Sequence, residues 1–417
     1  MRLFNAILLV FIFNINLQAI SLSELIHSTL ENNKNLKSLS INDLSKQKEY
    51  RSVSNIYNPI FSLGSNITKL DGNLRSVQIG TTSSAFALAS INIYSGGKNN
   101  AIKKQKEYEF KSSQLNTITT IKETILQVIT LFFQTKTVSE NIIVLQEKSK
   151  ALKAQYDRIK QKYDIHMTTV DEVLKLQSEY ESNNYMIEEF KYQKYELLKT
   201  LELITSSSVT SLDDSTLREI TNLKYISSET IKALQMNIKI IDENKNIILS
   251  SIKPQIKLEN KFSTYDYSNY NKQILSDLPD QQNQLMLSVN FKLFDTSTKD
   301  KVEASKLRRL AQTKTLNYLK DQEKIKFDLA KQNLYTQKLK LISLKSTVAM
   351  GNSVYDIIKI KYQNGIVDNI TYLDALSKKT YNVSLYKQAL NDYEIAKANL
   401  YFISGMKYKD ILSYINM

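Results

Sequence analysis

Few residues in this 417-residue chain have the types or spacing that chemistry requires. There are two histidines, His27 and His166, and no cysteine. Disulfides, thiolate chemistry and a lipidated N-terminal cysteine are excluded, and so is a histidine-rich metal site. His27 falls in an expected first helix. His166 falls at an expected turn far along the chain, where an exposed turn residue is the reading adopted over a metal ligand. No glycine-rich phosphate loop and no nucleophile–histidine arrangement occurs. The expectation is a protein that is not an enzyme, with no cofactor and no metal. What recurs instead is tyrosine, at Tyr156, Tyr163, Tyr355 and Tyr362, in positions expected mainly to pack.

Those tyrosines belong to a repeat. Tyr156-Asp-Arg-Ile-Lys-Gln-Lys-Tyr163 returns 199 residues later as Tyr355-Asp-Ile-Ile-Lys-Ile-Lys-Tyr362, identical at six of eight positions. The same offset pairs Leu174 with Leu373, Leu201 with Leu400 and Ile204 with Ile403. An offset maintained this long implies two structurally equivalent halves.

The N-terminus reads as a secretory signal peptide over residues 1–19: Arg2, an apolar run from Leu3 to Phe13, then a small residue at Ala19. The run is too short to span a bilayer, which takes about 20 residues. The net charge is +14, but lysines are interspersed with Glu and Asp rather than gathered in a basic block. That pattern reads as solvated helix faces, not a nucleic-acid surface.

Only three prolines and eight glycines occur, and none between Lys98 and Lys253 or between Gln281 and Met350. Both residues interrupt helices, so their absence predicts very long ones. Residues 22–57 read as a helix with Ser21 or Ser23 as N-cap, stopped by Pro59. Strands are expected at 59–69 and 84–94, the second with Phe86, Leu88 and Tyr94 on one face and Ala87, Ala89, Ile91 and Ile93 on the other. A helix over 98–164 follows, with a heptad seam at Val138, Ile142, Leu145, Ser149, Leu152, Tyr156, Ile159 and Tyr163. It turns at 165–170 into a return helix over 171–205. A connector, 205–226, Ser/Thr-rich over 205–216, leads to the second half. There a helix at 227–251 precedes a strand after Pro254, a polar loop at 266–283 and a strict alternation from Leu285 to Leu293. A helix over 299–363 carries the seam Phe327 to Tyr362, turns at Asn364-Gly365 and returns over 369–404. The domain expectation is a first repeat at 20–204, the connector, and a second repeat at 227–417, with strand pairs at about 59–94 and 254–294. Helices near 100 Å long by helix rise would put the strands at one end of a rod and the turns at the other.

Four strands from one chain leave open edges, which are not viable in a bilayer. Strands of about 10 residues with one apolar face match the outer-membrane pattern. Pooling strands from several copies would close a barrel; a soluble periplasmic coiled-coil rod with a small sheet is the other reading of the pattern.

The chain resembles the TolC-type outer-membrane efflux protein family over the mature sequence. The resemblance rests on Ile56-Tyr-Asn-Pro-Ile-Phe-Ser-Leu63, Leu285 to Phe294, Tyr362-Gln-Asn-Gly365, Tyr372-Leu-Asp-Ala375 and Asn399 to Gly405, taken in order and duplicated. It implies a mainly α fold with a membrane β-barrel: two repeats of coiled-coil hairpins plus strands, forming a trimeric 12-stranded barrel continued by an α-helical periplasmic tunnel. It implies an outer-membrane exit duct for a tripartite efflux or type I secretion system. The partners would be a homotrimer, a periplasmic adaptor (membrane fusion protein), an inner-membrane pump and outer-membrane lipid. The alternative is an adaptor or coiled-coil scaffold of a secretion assembly. By resemblance the periplasmic gate maps to Tyr362 with Glu172. Asp171 matches the partner position of a second link whose arginine is replaced here by Val367. An entrance carboxylate ring maps to Asp374, its companion acidic position being Thr371.

Overall fold

The computed structural model describes residues 19–55, 58–72, 77–220 and 222–416. The expected signal segment lies outside them except for Ala19. The first helix is two, α1 (Leu22–Asn32) and α2 (Lys34–Ser54). Ser21 caps α1 in a reciprocal box: its hydroxyl accepts the Glu24 amide at 3.2 Å, and Glu24 accepts the Ser21 amide at 2.9 Å. Asn33 makes the break that the sequence reading lacked. Its backbone leaves the helical region, its Oδ1 accepts the Leu36 amide at 2.9 Å, and its Nδ2 donates to the Ile204 carbonyl at 2.7 Å. One asparagine thus caps α2 and ties it to a segment 171 residues away.

The strands are β1 (Ile60–Lys69), β2 (Thr81–Ser95), then, beyond the first hairpin, β4 (Gln255–Ser268) and β5 (Gln281–Asn290). They form one antiparallel sheet in the order β1-β2-β4-β5. β4 takes up the first residues of the expected 266–283 loop. Residues paired across an antiparallel ladder share a face, so the register sorts the side chains. Phe61, Leu63 and Ile67 lie on the face of Ala87, Ile91, Leu258, Phe262, Leu285 and Leu287. The opposite face carries Ser62, Asn66, Ser84, Lys261, Gln284 and Ser288. A register shift between Asn92 and Tyr94 leaves Ile93 unpaired. This bulge corrects the expected faces of β2: it moves Tyr94 to the apolar side, opposite Ile256, and away from Phe86 and Leu88.

The hairpins are α3 (Lys98–Asp164) with α4 (Val170–Thr205), and α6 (Thr296–Gln363) with α7 (Asn369–Ile403). α3 and α6 have 67 and 68 residues, about 100 Å each by helix rise. Along the α3 seam, Val138, Ile142, Leu145, Leu152 and Ile159 are buried, but Tyr163 is 42% exposed and leaves the seam. The α6 seam is mostly half-buried, and α6 exposes a second apolar stripe that includes Leu310, Tyr318, Ile325, Leu339, Ile342 and Ile357. α3 also contains a stretch apolar enough to cross a bilayer. Its Ile125, Val128, Ile129, Phe132 and Phe133 are instead core, packed with Leu22, Leu25 and Ile26 of α1, Leu201 and Val209.

The connector is ordered by α7. Its short strand β3 (Thr216–Leu217) pairs with β6 (Ile415–Asn416), which follows a short helix α8 (Tyr408–Leu412). Glu394 accepts the Leu217 amide at 2.7 Å, while Lys397 donates to the Leu217 carbonyl at 2.5 Å. The two side chains also pair at 2.6 Å. Both charges are nearly fully buried, and each has the hydrogen bonds that such burial demands. The Tyr401 hydroxyl donates to the Arg218 carbonyl at 2.5 Å and accepts the Ile220 amide at 3.2 Å. α5 (Glu229–Ser250) leads into β4.

The element order recurs in the two halves. In space the chain instead divides into two compact units, each drawing on both halves. One is Met1–Ser38, Ile118–Ser228 and Asp321–Met417; the other is Leu39–Thr117 and Glu229–Lys320. The sheet belongs to the second unit, and the hairpin turns with their core belong to the first.

Candidate functional site

Both hairpin turns close in the same way. α3 ends with the His166 amide bonded to the Tyr163 carbonyl at 2.9 Å and the Met167 amide to the Lys162 carbonyl at 2.8 Å. α6 ends with Gly365 bonded to Tyr362 at 3.1 Å and Ile366 to Lys361 at 2.9 Å. Such a C-cap needs a left-handed residue. It is His166 at φ 63° in the first turn and Gly365 at φ 73° in the second. His166 is exposed, and no group of three metal-ligating side chains exists among the described residues. His27 is exposed in α1 beside Glu31.

Above the turns the four helices share one core of Leu152, Ile159, Val173, Leu176, Tyr355, Tyr372, Leu373 and Leu376. Tyr372, 1% exposed, is its centre. Tyr362 stacks on it, with ring centroids 4.8 Å apart and planes 17° apart. The Tyr355 and Tyr372 hydroxyls are 3.4 Å apart. Burial, then the Tyr355 hydrogen bond, pushes the Tyr372 hydroxyl well above the usual phenol range. Burial and, secondarily, the charge of Glu172 raise Tyr362, with Arg158 acting in the opposite sense.

The gate residues inferred by resemblance are all at this tip. Glu172 is close enough for its charge to act on Tyr362, but its hydrogen bond comes from the Thr168 hydroxyl at 2.8 Å. Asp171 is exposed in the first turn of α4, where the helix dipole favours a carboxylate. Asp374 is 60% exposed and paired with Lys378 one turn later at 2.8 Å. The i,i+4 spacing of Asp374 and Lys378 is legible in the sequence.

Three further residues were missed. Tyr372 lies in the quoted motif, yet its neighbours come from α3, α4 and α6. Arg158 donates to the Gln363 carbonyl at 3.3 Å, joining α3 to the C-terminus of α6. Asp368 caps α7 by accepting the Thr371 amide at 2.9 Å. The Thr371 side chain, and then that amide bond, hold its carboxyl below the usual range. The Asp-x-x-Thr spacing before a helix was the available signal.

Residues 25–207 match the family model of outer membrane efflux proteins, and the fold across almost the whole chain is that of solved outer-membrane channels. The CmeC outer membrane channel of Campylobacter jejuni superposes with a TM-score of 0.82 at 15% identity, covering 95% of this chain and 90% of that one. The outer membrane protein VceC of Vibrio cholerae gives 0.78 at 12% identity, over 93% and 96%. The open-state MtrE outer membrane channel of Neisseria gonorrhoeae gives 0.77 at 15% identity, over 93% and 89%. No curated protein matches the sequence. The chain thus resembles the TolC-type efflux channels, which are conduits and not enzymes.

Proposed function

We infer that the protein is an outer-membrane exit duct, conducting solutes passively from an inner-membrane pump and periplasmic adaptor to the exterior. The observation that carries this is the sheet. It has four antiparallel strands, an apolar face that is largely exposed, and unpaired edges at β1 and β5. The edge strands have 10 residues each, the length that crosses a bilayer when tilted. Edges cannot remain open in lipid, so copies of the chain pair β5 of one with β1 of the next. Three copies give twelve strands. The exposed apolar stripe of α6 supports the same association, because a helix apolar on two sides needs a second partner.

On this reading the tip is the gate. Tyr362, with Glu172 on the adjacent hairpin, holds the resting tunnel closed; Asp171 keeps the partner position of a second link that lacks its arginine, Val367 standing there. Asp374 contributes one carboxylate per copy at the entrance, partly neutralised by Lys378.

Membrane fractionation tests the duct. The protein is expected in the outer membrane as a heat-sensitive trimer on gels, and a soluble periplasmic monomer would sink the reading. In planar bilayers Tyr362→Phe is expected to raise single-channel conductance, and Asp374→Ala to weaken block by divalent cations. Unchanged conductance or unchanged block would remove that residue from the gate.

A further inference from the structure

The sheet carries five charged side chains: Lys69 in β1, and Lys257, Glu259, Lys261 and Asp266 in β4. Lys69 and Asp266 pair with Thr81 and Ser83, at the loop end of the ladder, on the apolar face. The other three lie on the polar face, opposite Asn92, Ser90 and Leu88. Lys261 is midway along its strand. A lysine turned to lipid at that depth costs about 2–4 kcal/mol, so this face is the one turned from lipid.

The three charges do not cancel. Lys257 and Glu259 pair with each other at 2.6 Å. Lys261 has no carboxylate partner among the described residues; its ammonium sits 4.5 Å from the Phe86 ring centroid. That ring is itself placed by Gly64 on β1. A Cβ there would come within 2.5 Å of the Phe86 ring tip, so only glycine leaves room for the ring across the strand. A ring quadrupole fixes a cation in position without neutralising it. Gly64, Phe86 and Lys261 therefore form a row across three strands that presents one uncompensated positive charge. The remaining polar side chains of this face are neutral serine, threonine, asparagine, glutamine and tyrosine.

We propose that Lys261, held against Phe86, forms a lysine ring midway along the exit pore that favours the passage of anions. The ligands it would draw are carboxylate- or phosphate-bearing solutes and small inorganic anions, since rings of lysine attract anions through a pore. The proposal rests on the sheet being one part of a closed barrel.

Reversal potentials of the full-length protein in planar bilayers under a KCl gradient test it. Lys261→Gln is expected to lower the chloride-to-potassium permeability ratio by at least about twofold, and Lys261→Glu by more. Lys261→Arg is expected to keep the wild-type ratio, which separates charge from packing. Gln and Glu variants that form pores with the wild-type reversal potential would overturn the ring while leaving the duct intact. If no variant, nor the wild type, forms pores, the barrel reading fails and the ring with it.

Discussion

At the first hairpin turn Tyr163 points away from the core, whereas its repeat counterpart Tyr362 stacks on Tyr372 with ring centroids 4.8 Å apart. The divergence continues along the return helices. Leu174 is 57% exposed and Leu373 only 7%; Val170 is exposed where Asn369 is buried. The turns themselves are alike, down to the paired carbonyl bonds that close them. Similarity of the repeat therefore sets helix ends and turn shape, which are local. Which hairpin supplies the centre of the shared core is decided at one position, Val173 in the first copy and Tyr372 in the second. The larger ring fills the space among α3, α4 and α6, and its own neighbours turn inward with it.

The largest effect expected from this difference is at that pair. Tyr372→Ala removes a fully buried ring that touches both Tyr355 and Tyr362, and is expected to cost about 3–5 kcal/mol. Val173→Ala removes two methyl groups' worth of packing and is expected to cost about 1–3 kcal/mol. Hydrogen exchange across the tip helices, with denaturant unfolding alongside, measures both. Equal losses would mean that the two copies share the core evenly and that the contrast in exposure carries no energy.

What was legible in the sequence was what periodicity and helix breakers specify. The absence of glycine and proline gave α3 and α6 to within a few residues, and the alternation from Leu285 to Leu293 located β5, which begins earlier, at Gln281, and ends at Asn290. The misses need a partner distant in sequence. Asn33 breaks a helix because the Ile204 carbonyl is there to accept its side chain. Tyr94 changes face because a bulge at Ile93 shifts its ladder, and nothing in the local alternation marks the extra residue. β3 and β6 are too short to show a period and exist through each other and through Glu394 and Lys397. At the tip, the family resemblance supplied Tyr362 and Glu172, but the sequence did not show that Glu172 would bond Thr168 or that Asp374 would be met by Lys378.

A smaller effect is expected from pH. An unfolded tyrosine ionises near pH 10. In the folded tip burial raises Tyr372, with Tyr355 adding to it, and burial with the Glu172 charge raises Tyr362. Both phenols therefore stay neutral in the folded state at pH values where they ionise in the unfolded one. Tip stability is intact below about pH 10 and falls above it, by up to about 1.4 kcal/mol per pH unit for each tyrosine, until the folded groups also ionise. Unfolding midpoints from about pH 9 to about pH 11 measure the slope. Tyr372→Phe is expected to make it shallower, and an unchanged slope would place the alkaline sensitivity elsewhere in the chain.

The smallest effect, and the one that isolates the turns from the core, is at the left-handed caps. A non-glycine residue there costs about 1–2 kcal/mol, and the first turn bears that strain in His166 at φ 63°. Glycine relieves it but loses more conformational freedom on folding. His166→Gly is thus expected to gain only about 0.5–1 kcal/mol at the first tip. At the matching position Gly365→Ala, at φ 73°, is expected to lose about 1–2 kcal/mol. No atom stands within 4 Å of the Cβ that this substitution adds, so its penalty comes from the backbone alone. Opposite signs at equivalent positions, read by hydrogen exchange of Met167 and Ile366, would show two turns of one shape differing in strain. A loss at His166→Gly would mean that the imidazole makes a contact offsetting its backbone, and that the first turn is specified by more than its shape.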